Sequence, residues 1–92
     1  MSAWIETARG SLVKASIISI REAQGSTDWE VAVDAGPAPA LFAPGLKNKQ
    51  TAMRIRNSLA RHVDRADALN VSTCISFVPG DVPSVESFLM ED

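Results

Sequence analysis

Only one long stretch of this chain repeats its apolar residues with a helical period, and residues that alternate with a period of two lie on both sides of it. Residues 52–66 read AMRIRNSLARHVDRA. At about 100° per residue, Ile55, Leu59, Val63 and Ala66 fall within about 60° of Ala52, forming one continuous apolar stripe. Asn48 stands before this run and is a good N-cap residue, because its side-chain oxygen can accept an otherwise orphaned backbone N–H. The spacing predicts a helix over residues 48–66. One helix set among strands predicts an α+β fold: a small, mainly antiparallel sheet of four to five strands, in the order β-β-β-β-α-β, with the amphipathic helix packed on one face.

The strands are read from alternation and from turn residues. Residues 3–7 form a short strand, followed by a turn around Arg9, Gly10 and Ser11. Residues 12–22 read as one longer strand. Val13, Ala15 and Ile17 share a face, then Ile18 and Ile20 take over the other, which predicts a bulge or burial on both sides. Residues 24–28, QGSTD, predict a hairpin into the next strand. There Trp29, Val31, Val33 and Ala35 alternate with Glu30, Ala32 and Asp34, the pattern of a strand with one wet face. Residues 40–43 can make a brief strand between prolines, which confines it to an edge or to an irregular segment.

Residues 71–77 form the last strand of this reading, with Val71, Thr73, Ile75 and Phe77 on one face, and residues 79–83 stop it. Val85, Phe88 and Leu89 sit at i, i+3, i+4, so residues 84–90 read as a short helical turn or as a docking tail, the latter being an acidic segment over 79–92. The expected face opposite the helix carries Ser16, Ala32, Ser72 and Ser76, small and moderately polar, suited to packing a partner.

Length and composition agree with a single domain over residues 1–92. The chain has 46% apolar and 22% charged residues and one cysteine. That size supports one core, and a lone cysteine rules out an internal disulfide framework or a Cys-rich zinc site. Glu6, Arg9 and Lys14 interrupt any leader-like apolar run, and no run approaches bilayer length, so the expected location is cytoplasmic, without membrane attachment. Asn70-Val71-Ser72 matches a glycosylation acceptor by coincidence on this reading.

The formal net charge is −2, but it is unevenly spread. Residues 35–63 hold Lys47, Lys49, Arg54, Arg56 and Arg61 and no acid, whereas residues 64–92 hold six acids against Arg65. On the helical wheel Arg54, Arg61 and Arg65 cluster within about 40°, opposite the apolar stripe. The ordinary reading of such a cluster is a solvated outer face. The sharper one is a stripe that meets acidic protein surface or phosphate. These three arginines are the candidate partner-binding residues.

Chemistry elsewhere is sparse. His62 lies at the margin of the apolar stripe and has no second histidine to form a metal pair. Cys74 could meet His62 across the helix–sheet interface, although a small buried thiol is the plainer account. Asp64 with Asp67, and Glu91 with Asp92, are carboxylate pairs of the kind that surfaces commonly carry. Trp4 and Trp29 read as core or cross-strand residues. No loop matches a phosphate cradle, so no catalytic residue, metal site or cofactor is expected.

The opening residues Trp4-Ile5-Glu6-Thr7-Ala8-Arg9-Gly10-Ser11-Leu12-Val13 resemble the start of short uncharacterised bacterial and phage proteins, in which a similar hairpin precedes a single helix. Those proteins follow Leu-Val with Asn, where this chain has Lys14. The resemblance covers about the first twenty residues and the strand–helix order, and it implies no catalytic residues. It implies a small accessory protein of a mobile element or phage, such as an inhibitor of host machinery.

The expected function is therefore a non-enzymatic interaction module that binds a protein partner or a second copy of itself. The second reading is association with nucleic acid through the basic helix face. A small enzyme ranks last.

Overall fold

The computed structural model describes residues 2–14 and 17–90. Its elements run β1 (Ala3–Glu6), β2 (Leu12–Val13), β3 (Ile17–Glu22), β4 (Trp29–Asp34), β5 (Pro39–Leu46), α1 (Lys49–Leu69), β6 (Thr73–Val78) and β7 (Ser84–Leu89). The class is the expected one, α+β with a single helix and mostly antiparallel strands. The strands, however, form two sheets: a four-stranded sheet in the order β2-β1-β6-β7 and a three-stranded sheet in the order β3-β4-β5. Among the described residues only β1 and β6 pair in parallel.

The helix begins where its cap was expected. Asn48 Oδ1 accepts the Thr51 N–H at 2.8 Å. It ends at Leu69, three residues beyond the apolar stripe, because Asn70 is the first residue to leave the helical region. Asn70 adopts a left-handed conformation (φ 52°), and its N–H reaches Ala66 O and Asp67 O. Asn tolerates this conformation better than most residues, so it closes the last turn.

The stripe faces inward as read: Ala52, Ile55 and Leu59 are fully buried and Ala66 nearly so. Burying Ile55 or Leu59 contributes about 1.5–3 kcal/mol each. They meet Ala3, Ile5 and Ile75 of the first sheet and Val31, Val33, Ala43 and Leu46 of the second in one core. One helix thus packs on one face of both sheets. The sheets also meet directly, where Ala8 N–H donates to Leu41 O at 2.8 Å and the rings of Phe42 and Phe77 stand 6.0 Å apart.

The two-sheet arrangement explains the phase change in residues 12–22. Val13 pairs with Ile5, whereas Ile18 and Ile20 pair with Val33 and Val31. Val13 and Ile18 are an odd number of residues apart, so a single straight strand could not bury both on one side. The chain instead passes from one sheet to the other. Ala15 and Ser16, named in the sequence reading, lie outside the described residues.

The hairpin from β3 to β4 is closed by Ala23 N–H to Asp28 O at 2.9 Å. Ala32, expected on a wet face, is buried, because its small side chain lies between Ser19 and Leu41 in the cross-strand register. The brief strand after it extends over all of β5, and of the two readings its prolines allowed it takes the edge strand. Register shifts opposite Trp29, Val31 and Ala32 accommodate Pro44 and Gly45, the latter at φ 69°.

Residues 84–90 depart furthest from expectation. The predicted helical turn is a strand, β7, paired antiparallel with β6 from Thr73↔Leu89 to Val78↔Ser84 without a register shift. A single i, i+3, i+4 coincidence spans one turn and carries little stabilisation, whereas a six-residue ladder satisfies backbone groups along its length. Val85, Ser87 and Leu89 lie on the helix side of the sheet, and Ser84, Glu86 and Phe88 on the outer side.

Candidate functional site

Arg54, Arg61 and Arg65 are all exposed along one flank of α1. Two hydrogen bonds lay β7 beside this flank. Arg54 Nη2 donates to Pro83 O at 2.7 Å, and His62 Nδ1 lies 2.9 Å from Ser87 Oγ. From Arg54 to His62 the helix advances about 12 Å, and from Pro83 to Ser87 a strand advances about 13 Å. The matching advances mean that α1 and β7 run nearly parallel, in the same direction, over this length.

Toward the C-terminal end of α1 the two elements enclose an open groove of about 330 Å³, lined by His62, Arg65, Leu69, Val71, Ser87 and Leu89 among others. Leu69 and Leu89 are 63% and 64% exposed, so the groove has an apolar floor that water reaches. Large exposed apolar side chains gathered in one place, with charge at the rim, mark interaction surfaces more often than scattered ones do.

No ion pair among the described residues engages this flank. Among the described residues the one ion pair is Arg21–Glu30 at 2.6 Å, on the other sheet. Arg61 and Arg65 have no ion-pair or hydrogen-bond partner among the described residues. Part of the acidic segment that follows residue 79 forms β7. Its carboxylate Glu86 takes the position opposite Ser76, on the outer face of the sheet, away from the arginines. Glu91 and Asp92 lie outside the described residues.

The sheet edges narrow the choice of surface. β2 is only two residues long, and β5 carries prolines, register shifts and the Ala8–Leu41 hydrogen bond along its edge. Short strands, prolines and bulges protect an edge from further pairing. β3 and β7 are six-residue edge strands without proline, and of the two β7 is the one that lies beside the arginine flank. The sequence reading missed β7. No alternation marks it, because Ser87 interrupts the row of Val85 and Leu89, and Phe88 stands on the other face.

The other residues considered are placed as follows. Cys74 is buried, but it pairs with Trp4 and Phe88 on the outer side of the sheet, while its neighbour Ile75 enters the core. His62 approaches from the helix side, so the pleat keeps the two apart. Asp67 accepts the Ser2 N–H at 3.0 Å and ties the start of β1 to the end of α1. Ser76 donates to Glu6 at 2.8 Å, and Ser72 is an exposed residue ahead of β6. Lys14 lies 4.5 Å from the Trp4 ring and Lys49 5.6 Å from the Trp29 ring, so both tryptophans carry cation contacts. Among the described residues no group of three or more His, Cys, Asp or Glu could hold a metal ion. No described helix is long and apolar enough to cross a membrane.

Fold and site together define a small α+β domain with an open strand edge beside a basic helix flank. No family model, curated protein or solved structure matches the chain.

Proposed function

We propose that the chain is a non-enzymatic interaction module that binds a protein partner through the arginine flank of α1 and the adjoining β7. The observation that supports this reading is the pair Arg61 and Arg65, exposed and without carboxylate partners among the described residues. Guanidinium groups pair with carboxylates in a planar, bidentate geometry, which gives orientation as well as attraction. A small accessory or inhibitor protein is the class this reading fits, and the likeness of residues 4–13 to phage proteins is proposed on the same footing.

Nucleic-acid association is the second reading, because the same arginines could meet phosphates. A contact through three arginines predicts a salt slope of only about −2.7 on logarithmic axes. An enzyme ranks below both, since the single histidine is tied to Ser87 and separated from Cys74 by the sheet.

Affinity capture from the source cells with tagged wild-type protein and an Arg61→Glu/Arg65→Glu variant tests the proposal. The expected result is a defined partner held by the wild type and lost by the variant, with the variant's circular dichroism unchanged. A partner held equally by both would overturn it.

A further inference from the structure

Resting on that reading, we propose that the occupant of the surface is an extended acidic peptide segment, which adds antiparallel to the free edge of β7 as a fifth strand of the four-stranded sheet. β7 pairs on one side only, with β6, and its register is unbroken over six residues. Its other edge therefore presents backbone donors and acceptors in the regular spacing that an incoming strand needs.

Geometry and charge specify what that strand carries. Alternate side chains of an added strand point toward α1, spaced about 6.6–6.8 Å apart. Arg61 and Arg65 are four residues apart on the helix, about 6 Å along its axis, and the axis runs nearly parallel to β7. Two carboxylates at positions i and i+2 of the peptide thus match the two guanidinium groups. At the end of β7, Leu69, Val71 and Leu89 offer an exposed apolar seat. In the antiparallel direction the peptide reaches this seat first, which defines the pattern apolar, any, acidic, any, acidic.

A second copy of the chain fits less well. Pairing two β7 strands about a two-fold axis would bring one Arg61/Arg65 row toward the other, and like charges across a ladder are destabilising. Glu86 cannot relieve this, because it lies on the outer face.

The test uses the full chain and a fluorescein-labelled synthetic peptide containing Leu-Thr-Asp-Val-Asp. Controls are a scrambled peptide, a version with lysines for the aspartates, and a version N-methylated at the amides that face β7. The expected result is binding that falls by about tenfold or more in the scrambled, lysine and N-methylated peptides, and likewise in the Arg61→Glu/Arg65→Glu variant. Amide chemical shifts of residues 84–89 should move on titration.

Equal affinity for the N-methylated peptide overturns strand addition, and if the arginine variant still loses its captured partner, the proposed function stands without it. A chain that ignores every acidic peptide but dimerises by light scattering overturns the occupant. Displacement of the peptide by a DNA duplex that binds more tightly than the peptide overturns it in favour of nucleic acid.

Discussion

His62 on α1 and Ser87 on β7 meet at 2.9 Å, a hydrogen bond between a helix and the last strand of a neighbouring sheet. Together with the Arg54–Pro83 bond it turns the end of the chain from an independent tail into one wall of a groove. Removing one partner, as in His62→Ala, is expected to cost about 0.5–1.5 kcal/mol. For a domain of this size each kcal/mol lowers Tm by roughly 4–8 °C. Thermal unfolding of His62→Ala, Ser87→Ala and the double variant checks this. The double variant should cost little more than either single one, because both remove the same bond.

Arg61 and Arg65 contribute little to the fold on this account. They are exposed like charges at i and i+4, which disfavour one another by about 0.2–0.5 kcal/mol. Arg65→Ala is expected to leave urea stability unchanged within about 0.5 kcal/mol, or to raise it slightly, while weakening peptide binding. A large loss of stability would show that the side chain has a structural role instead.

Leu59 is fully buried at the centre of the helix stripe. Leu59→Ala removes its transfer energy and leaves a cavity where both sheets converge, an expected loss of about 2–5 kcal/mol. Equilibrium denaturation measures it, and a loss below about 1 kcal/mol would mean that this part of the core is not close-packed.

Asn70 ends the helix in the left-handed region and its Oδ1 accepts the Ser2 hydroxyl at 3.1 Å. Asn70→Ala should cost about 1–2 kcal/mol from the strained backbone, with the lost side-chain bond adding to it. Asn70→Gly keeps the backbone free of strain and should cost less than the alanine variant. Comparison of the two urea midpoints separates the contributions.

Cys74 is buried in the outer row of the first sheet, between Trp4 and Phe88. Its reaction with a thiol reagent is expected to follow global unfolding, so the labelling rate should rise with urea in step with the unfolding transition. Fast labelling under native conditions would contradict the burial.

The helix was legible because its signal is local. The stripe from Ala52 to Ala66 and the cap at Asn48 are set within a few turns, and the backbone satisfies itself inside that segment. The prolines limited residues 40–43 to an edge strand or an irregular segment, because proline cannot donate to a ladder. The structure makes them part of the edge strand β5. The arginine cluster was equally readable, since a helix angle follows from residue number alone. The exposure of those arginines and the strand beside them were not.

What the sequence by itself determined is the class, one amphipathic helix packed on strands, together with the flank on which its guanidinium groups stand. Only the tertiary structure decided that the strands divide into two sheets, that residues 84–89 form β7, and that β7 runs beside the arginines with its outer edge open. The reason is physical: a helix closes its hydrogen bonds within its own segment, whereas a strand is defined by a partner that may stand far away in the chain. For β7 that partner is β6, and no local period of residues 84–90 names it.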